Sequence, residues 1–413
     1  MRLLSNLMNA FVKKGELTII DVEGKHHLFS GSLGPSVTFK IHDKSLYKSL
    51  VFNPELAAGE AYMDGTLTFE EGTSVRDFLK FYSINSNSLA DHKIQKIIRK
   101  IKMPFRKLQQ SNKKVEATKN VSHHYDLGND FYKLFLDKNM LYSCAYFRSE
   151  NDTLEEAQRN KLRLLAAKLD LRPGQKILDI GCGWGDLALY LASIEKVQVV
   201  GVTLSTEQQK LATERAEKMG LTDRVTFKLL DYRDVDGPFD RIVSVGMFEH
   251  VGVHHYDEFF QKVNSLIPDN GLAVIHSIGH MSPPSMASPW LRKYIFPGAY
   301  SPALSEVYPV LERNKLWVLD MEFLRLHYAL TLNHWWQRFD KNRAKVVEMY
   351  DERFARMWEF YLISCEIMFE TGAQMVFHAQ ISRNRLAAPI QRDYIVEKQK
   401  EYEALEKKMK LVL

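Results

Sequence analysis

The spacing of apolar and polar residues predicts a small N-terminal α+β domain over residues 1–91. Apolar residues recur at helical spacing near the start, at Leu3, Leu4, Leu7, Met8, Phe11 and Val12. This stripe predicts an amphipathic helix that either docks on its own domain or lies in a membrane interface. From Leu17 to Phe69, short alternating runs broken by Gly, Asp and Asn predict strands and turns. A short helical insert is expected over residues 49–65.

Residues 92–120 predict a basic helix followed by a linker. Ile94, Ile97, Ile98 and Ile101 follow helical spacing until Pro104 interrupts the pattern. Ten Lys or Arg residues and one Glu lie between positions 92 and 119, so this stretch carries +9 in a chain of net charge +5. The remainder of the chain is therefore slightly acidic. Such a cluster indicates a polyanionic partner, either nucleic acid or an anionic membrane surface, or else a solvated linker.

Apolar runs of strand length alternate with helix-length segments after residue 121. The runs cover residues 175–183, 197–205, 224–232, 239–247 and 271–279. Strands separated by helices predict a parallel α/β sheet, which we assign to a domain over residues 121–413. Beyond about Lys341 the chain is expected to be helical.

The segment Ile177–Gly185 carries the clearest chemical signal. A strand ends in Asp179, glycines follow at positions 181, 183 and 185, and an apolar helix begins at Leu187. Glycines let a backbone approach a ligand closely. The spacing differs from the G-x-G-x-x-G diphosphate fingerprint, and the preceding acid favours a ligand with a cationic amino-acid end. The pattern is characteristic of S-adenosylmethionine (SAM) methyltransferases, and it predicts a Rossmann-like, class I SAM-methyltransferase α/β core.

The next strand ends also fit a nucleoside ligand. Thr203–Gln208 offers hydroxyl and amide groups to a ribose, Tyr232 and Arg233 lie at the end of the third strand, and Gly246–His250 lies at the end of the fourth. Ligands of open α/β sheets bind at the carboxyl ends of the strands. These segments are therefore expected to surround the cofactor and, at the fourth strand, the methyl acceptor.

Further motifs give the chain a specific family resemblance. The segments His123–Phe147, Thr203–Gln208, Phe248–Gly252 and Ile275–His280, together with the glycine-rich loop, closely resemble the cyclopropane-fatty-acyl-phospholipid synthase family, which includes the mycolic acid cyclopropane synthases. The resemblance implies transfer of a methyl(ene) group from SAM to the cis double bond of an unsaturated acyl chain in a membrane phospholipid. It also implies a carbocation that bound bicarbonate deprotonates to close a cyclopropane ring.

The resemblance implies two sets of site residues. The cofactor set is Tyr142, Ser143, Asp179, Gly181, Gly183, Gly185, Thr203, Leu204, Ser205, Gln208, Tyr232 and Arg233. The bicarbonate set is Cys144, Glu249, His276, the backbone of Ile278, and Tyr328, which lies in the least distinctive segment. Cys144, Glu249, His276 and Tyr328 are also the expected catalytic residues. Since no member of the bicarbonate set is missing, ring closure is favoured over methyl or methylene branching and over N-methylation of a small amine.

Composition and absent motifs limit the location and the partners. Cys144, Cys182 and Cys365 are odd in number and widely spaced, which indicates a reducing compartment. We expect neither a signal peptide nor a membrane-spanning helix, and hence a cytoplasmic protein on the inner face of the membrane. The resemblance implies that the domain over residues 1–91 is a lipid-binding or accessory domain. The N-terminal stripe, the basic cluster and residues 282–307 are the expected lipid contacts. No metal site or nucleic-acid-binding pattern is expected, and the family suggests a homodimer.

Overall fold

The computed structural model describes residues 1–102 and 127–409, which form two compact units. The first unit takes in the residues before position 103 together with Met286–Pro297 and Leu332–Ala373, and the second holds the other described residues. The predicted domain over residues 121–413 contains both of these later segments, so the first unit of the structure differs from the predicted boundaries. The predicted linker and the basic residues after Lys102 lie outside the described residues.

The first unit begins with an α+β arrangement, as predicted. Its elements are α1 (Arg2–Phe11), β1 (Lys14–Ile20), β2 (His26–Ser30), β3 (Ser32–Ile41), α2 (Leu46–Phe52), α3 (Pro54–Asp64), β4 (Leu67–Glu70), α4 (Val75–Asp91) and α5 (Lys93–Lys102). The strands form one sheet in the order β2-β1-β3-β4. Strand β1 runs parallel to β3 and antiparallel to β2, and β4 runs antiparallel to β3.

The apolar face of α1 packs into this unit. Leu4, Leu7, Met8 and Phe11 are buried in its core with residues of the sheet. The docked alternative is therefore confirmed for these four residues, whose side chains are not available for insertion into a membrane. Leu3 of the same stripe is 47% exposed. In α5, by contrast, Ile94 packs on the core while Ile97 and Ile101 are exposed.

The second unit is built on alternating strands and helices. Its elements as far as residue 280 are α6 (Asn129–Tyr132), α7 (Leu154–Lys168), β5 (Lys176–Ile180), α8 (Asp186–Ile194), β6 (Gln198–Thr203), α9 (Thr206–Lys218), β7 (Val225–Leu229), β8 (Arg241–Val245), α10 (Tyr256–Leu266) and β9 (Leu272–His280). These five strands pair in parallel, as the sequence predicted.

The rest of the chain adds two antiparallel strands to the same sheet. The elements are α11 (Pro289–Tyr294), α12 (Leu304–Arg313), β10 (Trp317–Leu324), α13 (His327–Lys341), α14 (Arg343–Met349), α15 (Glu352–Thr371), β11 (Gln374–Ser382) and α16 (Asp393–Met409). The sheet order is β10-β11-β9-β8-β5-β6-β7. The prediction that the chain is helical beyond about Lys341 is therefore wrong at β11. That strand is buried on both faces, so its sequence lacks the alternation that identifies a strand.

Apolar layers cover both faces of the large sheet. One contains α7, α8 and α16, and the other contains α10 and α12. Among the described residues, no helix combines the length and the apolar character needed to cross a bilayer.

Candidate active site

The glycine-rich loop leaves β5 in a conformation that other residues rarely adopt. Gly181, Gly183 and Gly185 have φ values of 77°, 54° and 90°. A Cβ on Gly185 would lie 2.6 Å from the Phe227 ring and 2.9 Å from Ala212, so α8 can begin here only because the side chain is absent. At Gly183 a Cβ would meet nothing within 4 Å, so there the positive φ accounts for the glycine.

A cavity of about 80 Å³ lies beside this loop. Its lining includes six of the predicted cofactor residues: Tyr142, Ser143, Asp179, Gly181, Gly183 and Gln208. The other six predicted residues do not line it: Gly185, Thr203, Leu204, Ser205, Tyr232 and Arg233. Of the six residues that line it, the loop and β5 supply three, the segment before α7 supplies two, and the segment after β6 supplies Gln208.

Asp179 presents an unsatisfied acid to the cavity. Its side chain is 1% exposed, and its Oδ2 atom has no hydrogen-bond partner within the described part of the chain. Burial raises its pKa to about 7, with a smaller opposing effect from Lys161. A buried carboxylate oxygen without a donor is costly to leave unpaired, and a ligand ammonium group would satisfy it. The site therefore fits the amino-acid end of SAM.

Helix α7 contributes Lys161, a residue that the sequence pattern does not predict. Its Nζ donates to Ser143 Oγ at 2.8 Å, and the side chain is 1% exposed. Burial lowers its pKa to about 8, while Asp137, Cys144 and nearby acids oppose that shift. From the same helix, Gln158 donates to the carbonyls of Leu141 and Ser143. Lys161 is one of several cations on an amphipathic helix, so nothing in the local pattern distinguishes it.

The segment after β6 positions Gln208. The Thr203 hydroxyl donates to Gln208 Oε1 at 2.8 Å, and the Gln208 N–H donates to Ser205 Oγ at 3.3 Å. Thr203 and Ser205 are thus positioning residues for a side chain that lines the cavity.

The Arg233 side chain does not line the cavity, and its hydrogen bonds are to a residue at the end of β7. Its Nε and Nη2 donate to the Asp231 carboxylate at 2.9 and 2.7 Å, while the Tyr232 ring packs against Phe259. A direct cofactor contact by Tyr232 or Arg233 stays a prediction.

Glu249 lies in a short helical turn after β8 and reaches towards β9. The backbone N–H of Ile278 donates to Glu249 Oε1 at 2.6 Å, and Oε2 is buried without a partner among the described residues. Burial raises its pKa to about 7, although the hydrogen bond from Ile278 acts in the opposite direction. Near neutral pH the group is therefore divided between its two protonation states. The backbone of Ile278 was predicted to bind the anion, and its N–H is already engaged by this carboxyl.

His276 pairs with a second histidine that was not predicted. His276 lies opposite His378 in the β9–β11 register, and the Nδ1 of the first is 2.7 Å from the Nε2 of the second. Burial holds the pKa of both rings well below the ordinary histidine value, so the pair is neutral with one proton between these nitrogens. His378 could not be found from sequence because the pairing becomes visible only once β11 is recognised as a strand.

The segment around Cys144 is tied to the first turn of α13. The Ala145 N–H donates to Thr331 Oγ1 at 3.0 Å, and the Phe147 N–H donates to His327 Nδ1 at 3.1 Å. Cys144 is fully buried, and burial raises the pKa of its thiol, so it stays protonated. Tyr328 is buried on the same turn of α13. These hydrogen bonds hold the Cys144 segment and the Tyr328 turn together.

The seven-stranded sheet, the glycine-rich loop after β5 and the buried carboxyl of Asp179 together define a class I SAM-dependent methyltransferase fold. Residues 112–379 match the family described as mycolic acid cyclopropane synthetase, and this chain belongs to that family. It is 37% identical over 344 residues to the cyclopropane-fatty-acyl-phospholipid synthase of Escherichia coli K12, covering 83% of this chain and 87% of the relative. It is also 37% identical over 349 residues to a probable fatty acid methyltransferase of Pseudomonas putida, covering 82% of this chain and 86% of that relative.

A solved structure supports the cofactor assignment. Mycolic acid cyclopropane synthase CmaA1, complexed with S-adenosylhomocysteine (SAH) and CTAB, matches with a TM-score of 0.61 and 33% identity, covering 64% of this chain and 98% of the other. These comparisons confirm the family resemblance and the fold expected from the sequence. Within the described residues, no group of three or more His, Cys, Asp or Glu side chains is arranged to hold a metal ion.

Proposed function

We propose that this protein adds a methylene unit from SAM to the cis double bond of an unsaturated acyl chain in a phospholipid, forming a cyclopropane ring. The observation that carries the proposal is the set of buried groups able to handle a proton, Glu249 and the His276–His378 pair. Simple methyl transfer to an amine needs no proton to leave the transferred methyl, whereas ring closure does. The names of the relatives support the lipid substrate.

The chemistry divides into two bond-forming steps. SAM supplies an electrophilic methyl group: the π electrons of the alkene form a bond to its carbon, and the carbon–sulfur electrons remain on sulfur. The second alkene carbon is then cationic. One C–H bond of the added methyl breaks, its electrons close the ring, and the proton leaves. The chain must therefore hold the reactants in line in a dry site and accept one proton.

The described residues divide these tasks between them. Asp179 would hold the ammonium end of SAM, and the aromatic rings of Tyr142 and Trp184 in the cavity lining could stabilise a cation by cation–π contact. Glu249 and His276 would receive or relay the proton. Because the thiol of Cys144 stays protonated, it would hold an anion as a hydrogen-bond donor and would not act as a nucleophile.

A bicarbonate ion fits this site under one condition. Glu249, His276, Cys144 and Tyr328 would hold it, and bound bicarbonate would supply the base. The protonated form of Glu249 can donate a hydrogen bond to an anion, and the positive charge of Lys161 would favour an anion nearby. The condition concerns the Ile278 N–H, which donates its hydrogen bond to Glu249 Oε1 in this structure. To bind the anion, this N–H must share that hydrogen bond or give it up.

Transfer of label tests the substrate class. With [methyl-¹⁴C]SAM, we expect radioactivity in the lipid extract after incubation with dioleoyl phosphatidylglycerol vesicles. Distearoyl vesicles should give none, because that lipid lacks a double bond. Label in a small amine such as dimethylglycine, with none in the unsaturated lipid, would overturn the proposal in favour of an N-methyltransferase.

We further propose that the protein binds membranes peripherally from the cytoplasmic side, through the outer face of α5. On this face Lys93, Lys96 and Lys100 are exposed next to Ile97 and Ile101, which are 58% and 63% exposed. Basic residues near an anionic surface contribute about 1 kcal/mol each, and isoleucines can enter the interfacial region. Lys96 also pairs with Asp91 at 3.0 Å, but both groups are largely exposed.

A triple variant in which glutamine replaces Lys93, Lys96 and Lys100 should show sharply reduced co-flotation with anionic vesicles. The loss follows from removing three attractive charges, and raised salt should mimic it. The matched control replaces the exposed lysines Lys196, Lys218 and Lys315 of the second unit, which changes net charge equally. Equal flotation of both triple variants, or equal binding of the wild type to zwitterionic vesicles, would rule out this surface.

A further inference from the structure

A row of three ionisable side chains crosses one face of the large sheet. His276 of β9 lies opposite His378 of β11, and His378 lies opposite Glu322 of β10. Directly opposite residues of antiparallel strands have Cβ atoms about 4.5–5.5 Å apart and lie on the same face. Because β10 is the outermost strand on its side of the sheet, the row runs from the residue expected to handle the proton to the edge of the sheet.

The two histidines of this row form one hydrogen-bonded unit. His276 and His378 are 2% and 0% exposed, and Nδ1 of the first lies 2.7 Å from Nε2 of the second. A hydrogen bond at one nitrogen of an imidazole fixes the orientation of the ring and hence the direction of the other nitrogen. With Nδ1 of His276 engaged by His378, Nε2 is the ring nitrogen left for the reacting groups.

A compensated set of charges lies at the outer end of the row. Lys168 of α7 is fully buried, and its Nζ is 2.7 Å from Glu322 Oε2 and 3.1 Å from Asp320 Oδ2. Arg392 pairs with the same Asp320 at 2.6 Å. Burial lowers the pKa of both histidines, and neighbouring groups add to this effect: Lys161 and Lys168 for both rings, and also His327 for His378. The pair therefore stays uncharged, and each ring carries one proton.

We propose that His378 is a positioning residue for the reaction, because it holds the His276 ring with Nε2 directed at the reacting groups. The inference rests on the proposed function, in which His276 receives or relays the proton. His378 acts through His276, just as the partner of a catalytic base orients that base. Without it, the His276 ring could turn and present a carbon edge or the other nitrogen, and proton transfer depends on this geometry.

NMR of the ligand-free protein with ¹⁵N-labelled histidines tests the hydrogen bond directly. We expect a scalar coupling between His276 Nδ1 and His378 Nε2 across the hydrogen bond, with both signals identified from the single variants His276→Gln and His378→Gln. The measurement needs neither SAM nor lipid. It therefore decides whether His378 holds His276 even if the wild type transfers no label to the unsaturated lipid, a result that would overturn the proposed function alone.

Kinetics of two His378 variants test the positioning role. His378→Phe keeps a ring but removes the nitrogen, and it should lower kcat by about ten- to a hundredfold, the range typical when the partner of a metal-binding histidine is lost. The KM for SAM should not change, because neither histidine lines the cofactor cavity. His378→Gln should recover most of the lost turnover, since its amide reaches the place of Nε2 and can donate or accept.

Ser382→Ala is the matched control on the same strand. Ser382 is fully buried and donates a hydrogen bond to the Gly271 carbonyl at 2.7 Å, so its replacement should lower the melting temperature but leave kcat unchanged. His378→Leu replaces the phenylalanine variant if the latter is unstable, as judged by its melting temperature and SAH affinity.

Three results would overturn the role of His378. They are the absence of the coupling in the wild type, full turnover in a folded His378→Phe or His378→Leu variant, and a folded His378→Gln variant as slow as His378→Phe. The last result would show that the imidazole itself is needed, and not a hydrogen-bonding partner for His276.

Discussion

Asp179→Asn is expected to weaken SAM and SAH binding by about thirtyfold or more without destabilising the ligand-free protein. Removing one partner of a buried charge pair costs about 2–5 kcal/mol, and the lower figure corresponds to thirtyfold. In the ligand-free protein Asp179 Oδ2 has no partner among the described residues, so the substitution removes an unfavourable buried acid. Titration calorimetry measures the affinity, and thermal unfolding measures the stability.

The sign of the pH dependence gives a second test of Asp179. Its folded pKa of about 7 lies above the unfolded value. The protonated carboxyl of Asp179 therefore favours the folded state. This contribution is fully present below the unfolded pKa and is lost as pH rises through 7. Relative to Asp179→Asn, the wild type should lose stability between about pH 4 and pH 7.

Asp186→Asn provides the contrast for Asp179. Asp186 also lines the cavity, but it is paired with Arg215 at 2.5 Å. Its replacement removes the carboxylate partner of a largely buried guanidinium, leaving it hydrogen bonds to the carbonyls of Asn139 and Trp184, and should lower the melting temperature. An unchanged SAM affinity in Asp179→Asn would show that the ammonium end of SAM binds elsewhere.

Glu249→Ala is expected to reduce turnover by about a hundredfold or more while SAH affinity stays unchanged. The residue lies outside the cofactor cavity lining, and general acid–base groups contribute about 10²–10⁴ to rate. Cys144→Ser should change activity in the same direction but less, because a protonated thiol is replaced by a hydroxyl of similar shape. The exposed Glu258 on α10 supplies the control, since Glu258→Gln should preserve turnover.

The pH profile separates a titrating Glu249 from a merely structural one. With a pKa of about 7, Glu249 loses its proton as pH rises through neutrality. If the protonated form helps to hold the anion, wild-type turnover should fall above pH 7, and Glu249→Gln should lack that decline. Loss of SAH affinity in Glu249→Ala would instead place this residue in the cofactor site.

The central strands and the glycine loop could be predicted because they depend on local sequence. The alternation of strands and helices and the spacing of Asp179 with the three glycines are short-range patterns, and the structure places them at one cavity. The helical spacing of α1 was equally clear, but periodicity alone does not say which surface covers an apolar face. Only the fold shows that Leu4, Leu7 and Phe11 are buried in the first unit.

The features that escaped prediction depend on long-range contacts. Lys161 lies on an ordinary amphipathic helix and gains significance only through Ser143 and Asp179. His378 becomes a partner of His276 only when β11 pairs with β9, although the two are 102 positions apart. Arg233 differs from these two residues: it follows a strand end as expected, and its guanidinium is engaged by Asp231, only two positions away in the sequence.

The structure of the reaction product tests the central claim most directly. The protein is incubated with [methyl-¹³C]SAM and dioleoyl phosphatidylglycerol, and the isolated fatty esters are examined by NMR. We predict that the label appears as an upfield cyclopropane methylene with no labelled vinylic carbon. Label in an exocyclic methylene or in a branching methyl group would contradict ring closure and assign the protein to chain branching instead.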